Sequence, residues 1–202
     1  MKVLIIGSGG REHALCKSLR DSTKIDKVYC LPGNAGTNLI AENIDINLND
    51  FEKIKNFIIE NKIHFVVIGP EQPLVDGIVD YLEKYQINVF GPNKLASQLE
   101  GSKIFTKNLC KKYNIPTANF GVFKNSNDSI KFVDKCAMPI VIKADGLAAG
   151  KGVYICKDIK EAVIAINEVF DGKFGDADKI LIEEFLEGEE MSFFIISDGE
   201  TY

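Results

Sequence analysis

A glycine- and lysine-rich run at residues 144–152 is the part of this chain whose residue types most clearly suggest chemistry. It lies between two apolar, strand-like stretches, and its distinctive members are Gly146, Gly150, Lys151 and Gly152. Glycine lets several backbone N–H groups approach one polyanion, so the run predicts a β-hairpin flap that closes over phosphate groups. It is not a Walker A loop, because only three residues separate the first two glycines and a strand-like stretch follows instead of a helix. The alternative is an ordinary hairpin loop.

Two lysines outside this run are predicted to serve the same phosphates. Lys143 ends the apolar stretch just before the flap, which places a cation beside it. Lys103, at the start of a helix-like segment, is the second candidate, and its alternative is a solvated lysine in the first turn. The sequence shows no Ser/His/Asp, Cys/His or paired-carboxylate arrangement. Any catalysis would therefore depend on positioning and electrostatics, as in phosphoryl transfer.

An acid-rich segment, residues 183–190, follows another strand-like stretch. One interpretation is an adenine-binding hinge, in which backbone groups of Glu184 and Leu186 meet the edge of the base. Glu190 would then hold the ribose hydroxyls, and apolar neighbours would enclose the base. These neighbours are Ile142 and Phe185. The alternative is a solvated acidic turn.

A second group of polar residues follows the strand-like stretches of the first ninety residues. The loops that carry it are Gly7–Glu12, Pro32–Thr37, Gly69–Pro73 and Gly91–Asn93. Open parallel sheets bind ligands at the carboxyl edge, where all four loops are expected. Backbone N–H groups at the start of the first helix, with Arg11 beside them, predict a site for a small phosphate ligand. Glu12 and Glu71 would accept hydrogen bonds from sugar hydroxyls or an amine, and Asn34 and Thr37 would add neutral contacts.

The first of these loops can also be compared with the dinucleotide fingerprint G-x-G-x-x-G, which would predict NAD binding. Glu12 occupies the position of the third glycine, and the second strand ends in Leu31-Pro32-Gly33 with no acid to hold a ribose. The smaller phosphate ligand is therefore the favoured interpretation. The alternative is that the glycines only form tight turns and that Arg11 is solvated.

The elements that position these residues are predicted from apolar periodicity. Continuous apolar strands alternate with helices in the first ninety residues, which predicts a parallel sheet covered on both faces. The predicted elements are strands 2–6, 27–31, 64–68 and 88–90, a helix over 11–19, a helix capped by Asp50, and one helix through Leu74, Val75, Ile78, Val79 and Leu82. A small α+β unit with antiparallel pairing is predicted to follow. Its elements are a helix over 103–113, strands 140–143, 153–156, 180–185 and 191–196, a helix over 158–170, and surface loops at 125–128 and 171–176.

Composition places the chain among ordinary folded proteins. Its 202 residues are 46% hydrophobic and 26% charged, with a net charge of −5 and no basic cluster to follow a nucleic-acid backbone. No apolar run reaches membrane-spanning length. Five cysteines without CxxC spacing and two histidines argue against a zinc site and suit a reducing compartment. The sequence therefore predicts a cytoplasmic protein with small-molecule partners, no nucleic acid and no membrane.

Six motifs, in order along the whole chain, resemble the phosphoribosylamine–glycine ligases of the ATP-grasp superfamily. They lie at 1–15, 32–37, 69–71, 99–103, 142–153 and 183–190. The resemblance implies that ATP phosphorylates the carboxylate of glycine, and that the amine of 5-phosphoribosylamine attacks the acyl phosphate to give glycinamide ribonucleotide, ADP and phosphate. It implies an ATP site formed by Lys103, Lys143, Gly146, Gly150, Lys151, Gly152, Glu183, Glu184, Phe185, Leu186 and Glu190. It implies a sugar-phosphate site formed by Gly10, Arg11, Glu12, Asn34, Gly36, Thr37 and Glu71.

The resemblance also implies a domain organisation. We expect a Rossmann-like α/β domain over 1–101, a linker helix of the ATP-grasp core over 102–119, a small α+β ATP-grasp lid over 120–191, and the first strand of a truncated core over 192–202. Family members are much longer, so ligands for Mg²⁺ or Mn²⁺ are expected beyond residue 202, and the chain alone is expected to be inactive. The alternatives are another ATP-grasp ligase or carboxylase, an NAD-binding oxidoreductase module, and a regulatory nucleotide-binding fragment.

Overall fold

The computed structural model describes residues 1–147, 152–174, 178–197 and 199–201. It divides the chain into two units, Met1–Leu109 and Cys110–Tyr202. The domain boundaries proposed from the sequence stay a prediction. Among the described residues, no helix is both long enough and apolar enough to span a bilayer.

A five-stranded sheet forms the centre of the first unit. Its strands are β1 (Lys2–Gly7), β2 (Lys27–Pro32), β3 (Glu42–Asn43), β4 (Phe65–Ile68) and β5 (Val89–Phe90). Neighbouring strands pair in parallel in the order β3-β2-β1-β4-β5. Both β1 and β2 are almost continuously buried, as a parallel sheet covered by helices requires. The predicted parallel sheet is confirmed, although the two-residue β3 was not predicted.

Helices pack on both faces of this sheet. The helices of the first unit are α1 (Gly10–Arg20), α2 (Phe51–Glu60), α3 (Glu71–Asp76), α4 (Ile78–Glu83), α5 (Lys94–Gly101), which packs against α3, and α6 (Lys103–Tyr113), which crosses into the second unit. On one face, Leu4 and Ile6 of β1 share a core with Ile54 of α2. On the other face, Ile5 shares a core with Cys16 of α1. Alternate residues of β1 therefore pack against helices on opposite faces of the sheet.

The prediction of one helix from Leu74 to Leu82 is wrong, because two short helices form there. Gly77 separates them with φ of +98°, a left-handed conformation that ends a helix and strongly favours glycine. Its N–H lies 3.1 Å from the carbonyl oxygens of Pro73 and Leu74, which closes α3. Apolar spacing alone did not reveal the break, because the same face continues into α4.

The second unit is built on a four-stranded antiparallel sheet. Its strands are β6 (Phe120–Phe123), β7 (Ile140–Ala144), β8 (Val153–Cys156) and β9 (Ile180–Glu184). They follow the order β6-β9-β7-β8, and every neighbouring pair is antiparallel. The predicted α+β unit with antiparallel pairing is confirmed, although β6 was not predicted.

Two helices, α7 (Ser126–Val133) and α8 (Ile159–Phe170), cover one face of this sheet. Ile140 and Ile142 of β7 are buried in a core with Ile166 of α8. Because side chains alternate along a strand, Val141 and Lys143 point to the opposite face. The two faces of the second sheet are therefore chemically distinct.

The surface loop predicted at 125–128 is wrong, because this segment opens α7. Asn125 Oδ1 accepts a hydrogen bond from the N–H of Asp128 at 2.9 Å, which makes Asn125 the N-cap. Asparagine, serine and aspartate favour turns and helix caps alike, so the four polar residues alone did not separate the two outcomes. The helix α5 was missed as well.

The strand predicted over 191–196 is not formed in the structure, and the proposed start of the core at 192–202 stays a prediction. Residues 191–197 form no regular structure, and the side chains of Phe193 and Phe194 are 80% and 86% exposed. A strand needs a neighbour for its backbone hydrogen bonds. None of the four described strands of the second unit pairs with this segment.

Candidate functional site

Two loops of the first unit bring charged side chains together at the carboxyl edge of the sheet. Arg11 lies in the first turn of α1, after β1, and Glu71 is the first residue of α3, after β4. Arg11 Nη1 donates to Glu71 Oε1 at 3.1 Å, and Arg11 Nε donates to Glu12 Oε1 at 3.2 Å. The side chains of Arg11 and Glu71 are 57% and 45% exposed. Both side chains can therefore meet a ligand. A Cβ added to the neighbouring Gly10 would meet no atom within 4 Å, so the space beside Arg11 is open as well.

Glu12 lies beneath these loops and not on the surface. Its side chain is 4% exposed, and Oε2 accepts a hydrogen bond from the N–H of Gly9 at 2.6 Å. A Cβ added to Gly69 would lie 2.1 Å from Glu12 Oε1, and one added to Gly7 would lie 2.5 Å from Glu12 Cγ. Gly7, at the end of β1, and Gly69, after β4, thus leave room for one buried carboxylate, which holds the two loops against each other.

The loop after β2 joins the same edge through Asn34. Its Nδ2 donates to the carbonyl oxygen of Ser8 at 2.8 Å, while Oδ1 accepts from the N–H groups of Gly36 and Thr37 at 2.7 and 3.0 Å. The buried Thr37 hydroxyl accepts from the N–H of Asn34 at 2.7 Å and donates to Asn43 Oδ1 at 2.8 Å. Asn43 Nδ2, on β3, donates to the carbonyl oxygen of Asn34 at 2.8 Å. These side chains therefore fix the shape of the loop.

The charged groups at this edge are paired with one another within the protein. The hydrogen bond to Glu71, and then the one to Glu12, raise the pKa of the Arg11 guanidinium. The pKa of Glu71 is lowered, first by a hydrogen bond from its own backbone N–H at the start of α3 and then by Arg11. Glu71 is consequently an ionised acceptor, and Arg11 is a cation whose orientation is set by two carboxylates.

In the second unit, Lys143 and Glu183 form an ion pair on the sheet face opposite α7 and α8. Lys143 Nζ lies 2.6 Å from Glu183 Oε2. Val141 of β7 is directly opposite Glu183 of β9, so Lys143 and Glu183 are diagonal neighbours on one face. Lys143 is 28% exposed and Glu183 is 5% exposed. A buried carboxylate therefore orients an ammonium group that solvent can still reach.

The predicted flap connects two paired strands. β7 and β8 form an antiparallel hairpin, and the N–H of Ala144 donates to the carbonyl oxygen of Gly152 at 2.9 Å. Gly146 lies in the bend just after β7. Gly150 and Lys151 lie outside the described residues. The hairpin is confirmed, and its contact with phosphate stays a prediction.

The predicted adenine hinge begins where β9 ends. Glu184 is the last residue of this strand, and Phe185 to Glu190 follow without regular structure. The Glu184 carboxylate accepts from the backbone N–H of Asn119 at 2.9 Å and from its Nδ2 at 3.0 Å. The N–H of Glu184 donates to the carbonyl oxygen of Asn119 at 3.0 Å. The side chain of Glu184 thus fixes the strand end, while Leu186 and Glu190 are exposed beyond it.

The expectation that Ile142 lies against a base is wrong. Ile142 is fully buried in the core under α7 and α8, on the face away from Lys143. Val141, in contrast, shares the face of Lys143 and is partly exposed. The sequence of β7 contains this information, because side chains alternate between the two faces of a sheet and residues two apart share a face.

Sequence reasoning missed three residues that shape the two sites, namely Asn43, Asn119 and Val141. For Asn43 and Asn119, no local signal exists, because their partners are brought near by strand pairing. Lys103 begins α6 within the first unit, whereas the other described residues of the predicted ATP site belong to the second unit. Among the described residues, no group of three or more His, Cys, Asp or Glu side chains is placed to hold a metal ion.

Comparison with known families assigns both halves of the chain. Residues 1–100 match the family model of the phosphoribosylglycinamide synthetase N domain. Residues 101–202 match the model of the phosphoribosylglycinamide synthetase ATP-grasp (A) domain.

Whole-chain relatives agree with these matches. The phosphoribosylamine–glycine ligase of Clostridium acetobutylicum is 48% identical over 100% of this chain and 49% of its own length, and that of Brucella melitensis is 50% identical over 100% and 47%. The chain thus spans about half the length of the curated relatives it matches. The crystal structure of the Thermotoga maritima phosphoribosylamine–glycine ligase superposes with a TM-score of 0.76 at 33% identity, covering 94% of this chain and 45% of that one.

A more distant structure shares the fold alone. The biotin carboxylase domain of Hydrogenobacter thermophilus 2-oxoglutarate carboxylase, solved with MgADP and bicarbonate, superposes with a TM-score of 0.71 at 22% identity. The superposition covers 92% of this chain and 44% of that one.

Proposed function

Because the chain belongs to the phosphoribosylglycinamide synthetase family, we propose that the protein containing it joins glycine to 5-phosphoribosylamine with ATP. The γ-phosphoryl group moves to the glycine carboxylate and ADP leaves. The amine nitrogen then attacks the acyl carbon, phosphate leaves, and glycinamide ribonucleotide forms. The observation that carries this proposal is the pair of adjoining family matches, which together account for residues 1–202.

The first unit is proposed to bind the sugar phosphate at the carboxyl edge of its sheet. The residues assigned to this site are Gly10, Arg11, Glu12, Asn34, Gly36, Thr37 and Glu71. The N–H groups at the start of α1 favour an anion, and the exposed guanidinium of Arg11 adds a fixed cation. The buried Glu12 and the Asn34 network support the site from behind by holding its loops.

Glu71 gives this site a means to recognise the amine end of the substrate. Its carboxylate is exposed and ionised, and it is bound to Arg11. A phosphate that pairs with Arg11 would leave Glu71 available to accept a hydrogen bond from the amine or a sugar hydroxyl. The ion pair in the free protein would therefore be replaced by two contacts to opposite ends of one ligand.

The second unit is proposed to bind ATP on the face that carries Lys143. The residues assigned to ATP are Lys103, Lys143, Gly146, Gly150, Lys151, Gly152, Glu183, Glu184, Phe185, Leu186 and Glu190. Lys143, whose ammonium is held by the buried Glu183 carboxylate, is proposed to meet the phosphates. The backbone of Glu184 and Leu186 is proposed to meet the edge of the adenine.

Mg²⁺ or Mn²⁺ is the proposed metal cofactor of the whole protein, where it would neutralise charge on the transferring phosphoryl group. The acidic residues that the structure describes do not form a cluster suited to a metal, so none is assigned as a ligand. The ligands are expected beyond residue 202. The proposed partners are small molecules only, and the proposed location is the cytoplasm.

The experiment is a coupled assay of ADP release by the protein that contains this chain. We expect release that depends on both glycine and 5-phosphoribosylamine, and none when bicarbonate replaces glycine. Lys143→Ala should abolish most of the activity, whereas Lys131→Ala, which removes a surface lysine of α7, should retain it. Release driven by bicarbonate would instead assign the protein to the carboxylases.

A further inference from the structure

Asn119 and Glu184 are joined by three hydrogen bonds at the point where β9 gives way to the proposed adenine hinge. Two of them converge on the Glu184 carboxylate, from the N–H and the Nδ2 of Asn119 at 2.9 and 3.0 Å. The third runs from the N–H of Glu184 to the carbonyl oxygen of Asn119 at 3.0 Å. We call these three hydrogen bonds the clamp; two of them place donors of one residue on the two oxygens of one carboxyl group.

The clamp also marks the end of the pairing between β6 and β9. In a hydrogen-bonded antiparallel pair, each residue donates its N–H to the other residue's carbonyl oxygen. Here Asn119 accepts in this way, but its N–H donates to the Glu184 side chain. The last paired residues are Phe120 and Glu183. The Glu184 side chain therefore accepts the hydrogen bond from the Asn119 N–H that would otherwise extend the pairing of β6 and β9 by one residue.

We propose that Asn119 is a positioning residue for nucleotide binding, which acts by fixing the backbone of residues 184–186 where it meets the adenine edge. This inference rests on the proposed function of the second unit. Asn119 itself touches no nucleotide. The clamp lies at Glu184, the last residue of β9, which also pairs with Ile140 of β7, so the base would meet a backbone that is held from both sides where it leaves the strand.

The chemistry of the clamp requires an amide donor opposite a carboxylate. The N119A variant loses the bond from Nδ2 and keeps the two bonds made by its backbone N–H and carbonyl groups. The N119D variant places two carboxylates against each other, which is repulsive. Combining N119D with E184Q restores a donor–acceptor pair with the roles exchanged, so the double variant should rescue what N119D alone loses.

The first measurement is amide hydrogen exchange at Glu184 by NMR, because its N–H is bonded to the carbonyl oxygen of Asn119. We expect N119A and N119D to speed exchange about fivefold, which corresponds to the loss of one modest hydrogen bond, and the N119D/E184Q pair to return it close to the original rate. Asn125→Ala is the control, because it removes the cap of α7 in the same unit and should leave exchange of the Glu184 amide unchanged. Equal exchange in N119A and N125A would overturn the proposal.

The second measurement is the dissociation constant of a non-hydrolysable ATP analogue for the same variants. We expect N119A to weaken binding about three- to tenfold and N125A to leave it unchanged. Faster exchange with unchanged affinity would show that the clamp orders the hinge without serving the nucleotide, which overturns the positioning role. An unsubstituted chain that binds no analogue would overturn the nucleotide site itself, and the positioning role with it.

Discussion

The guanidinium of Arg11 is held by two carboxylates that differ in exposure. Glu12 is buried and bonds to Nε, whereas Glu71 is exposed and bonds to Nη1. A ligand can replace the exposed partner without disturbing the buried one. Because part of the orientation is fixed before binding, less conformational entropy is lost when a phosphate arrives. The residues at this edge of the sheet are therefore arranged to present one cation, the guanidinium of Arg11.

Arg11→Ala should weaken the binding of ribose 5-phosphate to the chain about 10- to 100-fold, because charge-assisted hydrogen bonds are lost. The dissociation constant is to be measured by NMR titration. Arg20→Ala is the matched control, because Arg20 lies at the other end of α1 and bonds to Asp21. Equal losses in the two variants would remove Arg11 from the site.

Glu71 should titrate below the ordinary glutamate value of 4.5. Its depressed pKa contributes stability above the unfolded value, and this contribution is lost as pH falls through the folded pKa. In the Arg11→Ala variant, the midpoint should rise but stay below 4.5, because the larger cause is the N–H of Glu71 itself. The check is the ¹³C shift of the Glu71 carboxyl carbon against pH. A midpoint that does not move would show that Arg11 has no influence on it.

At the scale of elements, the loops after β1 and β4 are joined through one buried side chain. Glu12 belongs to α1, yet its carboxyl group fills the space left by Gly69 beyond β4. Asn34 similarly ties the loop after β2 to the loop after β1. Three separate strand–loop connections therefore form one rigid edge, which is the property a binding site on loops needs.

Gly69→Ala should destabilise the chain by about 1–3 kcal/mol, because the new methyl group would collide with the Glu12 carboxylate. Urea denaturation of Gly69→Ala, Glu12→Ala and the double variant is the measurement. We expect the double variant to lose less than the sum of the single losses, since the collision disappears with Glu12. Gly10→Ala is the control, because a Cβ there meets no atom within 4 Å. Additive losses would contradict the packing described here.

The sequence alone was sufficient to predict the elements that have long, regular apolar patterns, but it did not predict the other elements. β1, β2 and α8 were predicted almost to the residue, because buried strands and amphipathic helices have strong periodicities. β3 was missed because two residues carry no pattern. In β6, Gly121 interrupts the apolar run. Whether Glu12 faces a ligand or the protein interior depended on Gly69, a distant residue that no local pattern reveals.

At the scale of the whole molecule, each unit has its own sheet, core and set of proposed ligand groups. The residues proposed for the sugar phosphate belong to Met1–Leu109, and all described residues proposed for ATP except Lys103 belong to Cys110–Tyr202. The motif order along the sequence predicted this division of labour and the family, and the two family models confirm the family. The lack of a strand at 191–197 was not predictable from its apolar residues, because pairing depends on a neighbour.

We expect the 202-residue chain alone to show no glycine-dependent release of ADP. Phosphoryl transfer needs positive charge on the transferring group, and this chain spans only about half the length of the curated ligases that it matches. The assay is ADP release with glycine, 5-phosphoribosylamine and Mg²⁺, run beside the full-length Clostridium acetobutylicum relative. Turnover by the chain alone would contradict the expectation.

Buried and partly exposed side chains alternate strictly along β7, and this pattern constrains the length of the segment as well as its composition. Deleting or inserting one residue within Ile140–Ala144 would exchange the two sheet faces, so that the ammonium of Lys143 entered the core beneath α8 while an isoleucine took its place in solvent. Homologous proteins should therefore vary in chain length outside this strand. An insertion scan through residues 139–145 should tolerate added residues at its two ends before it tolerates any between them.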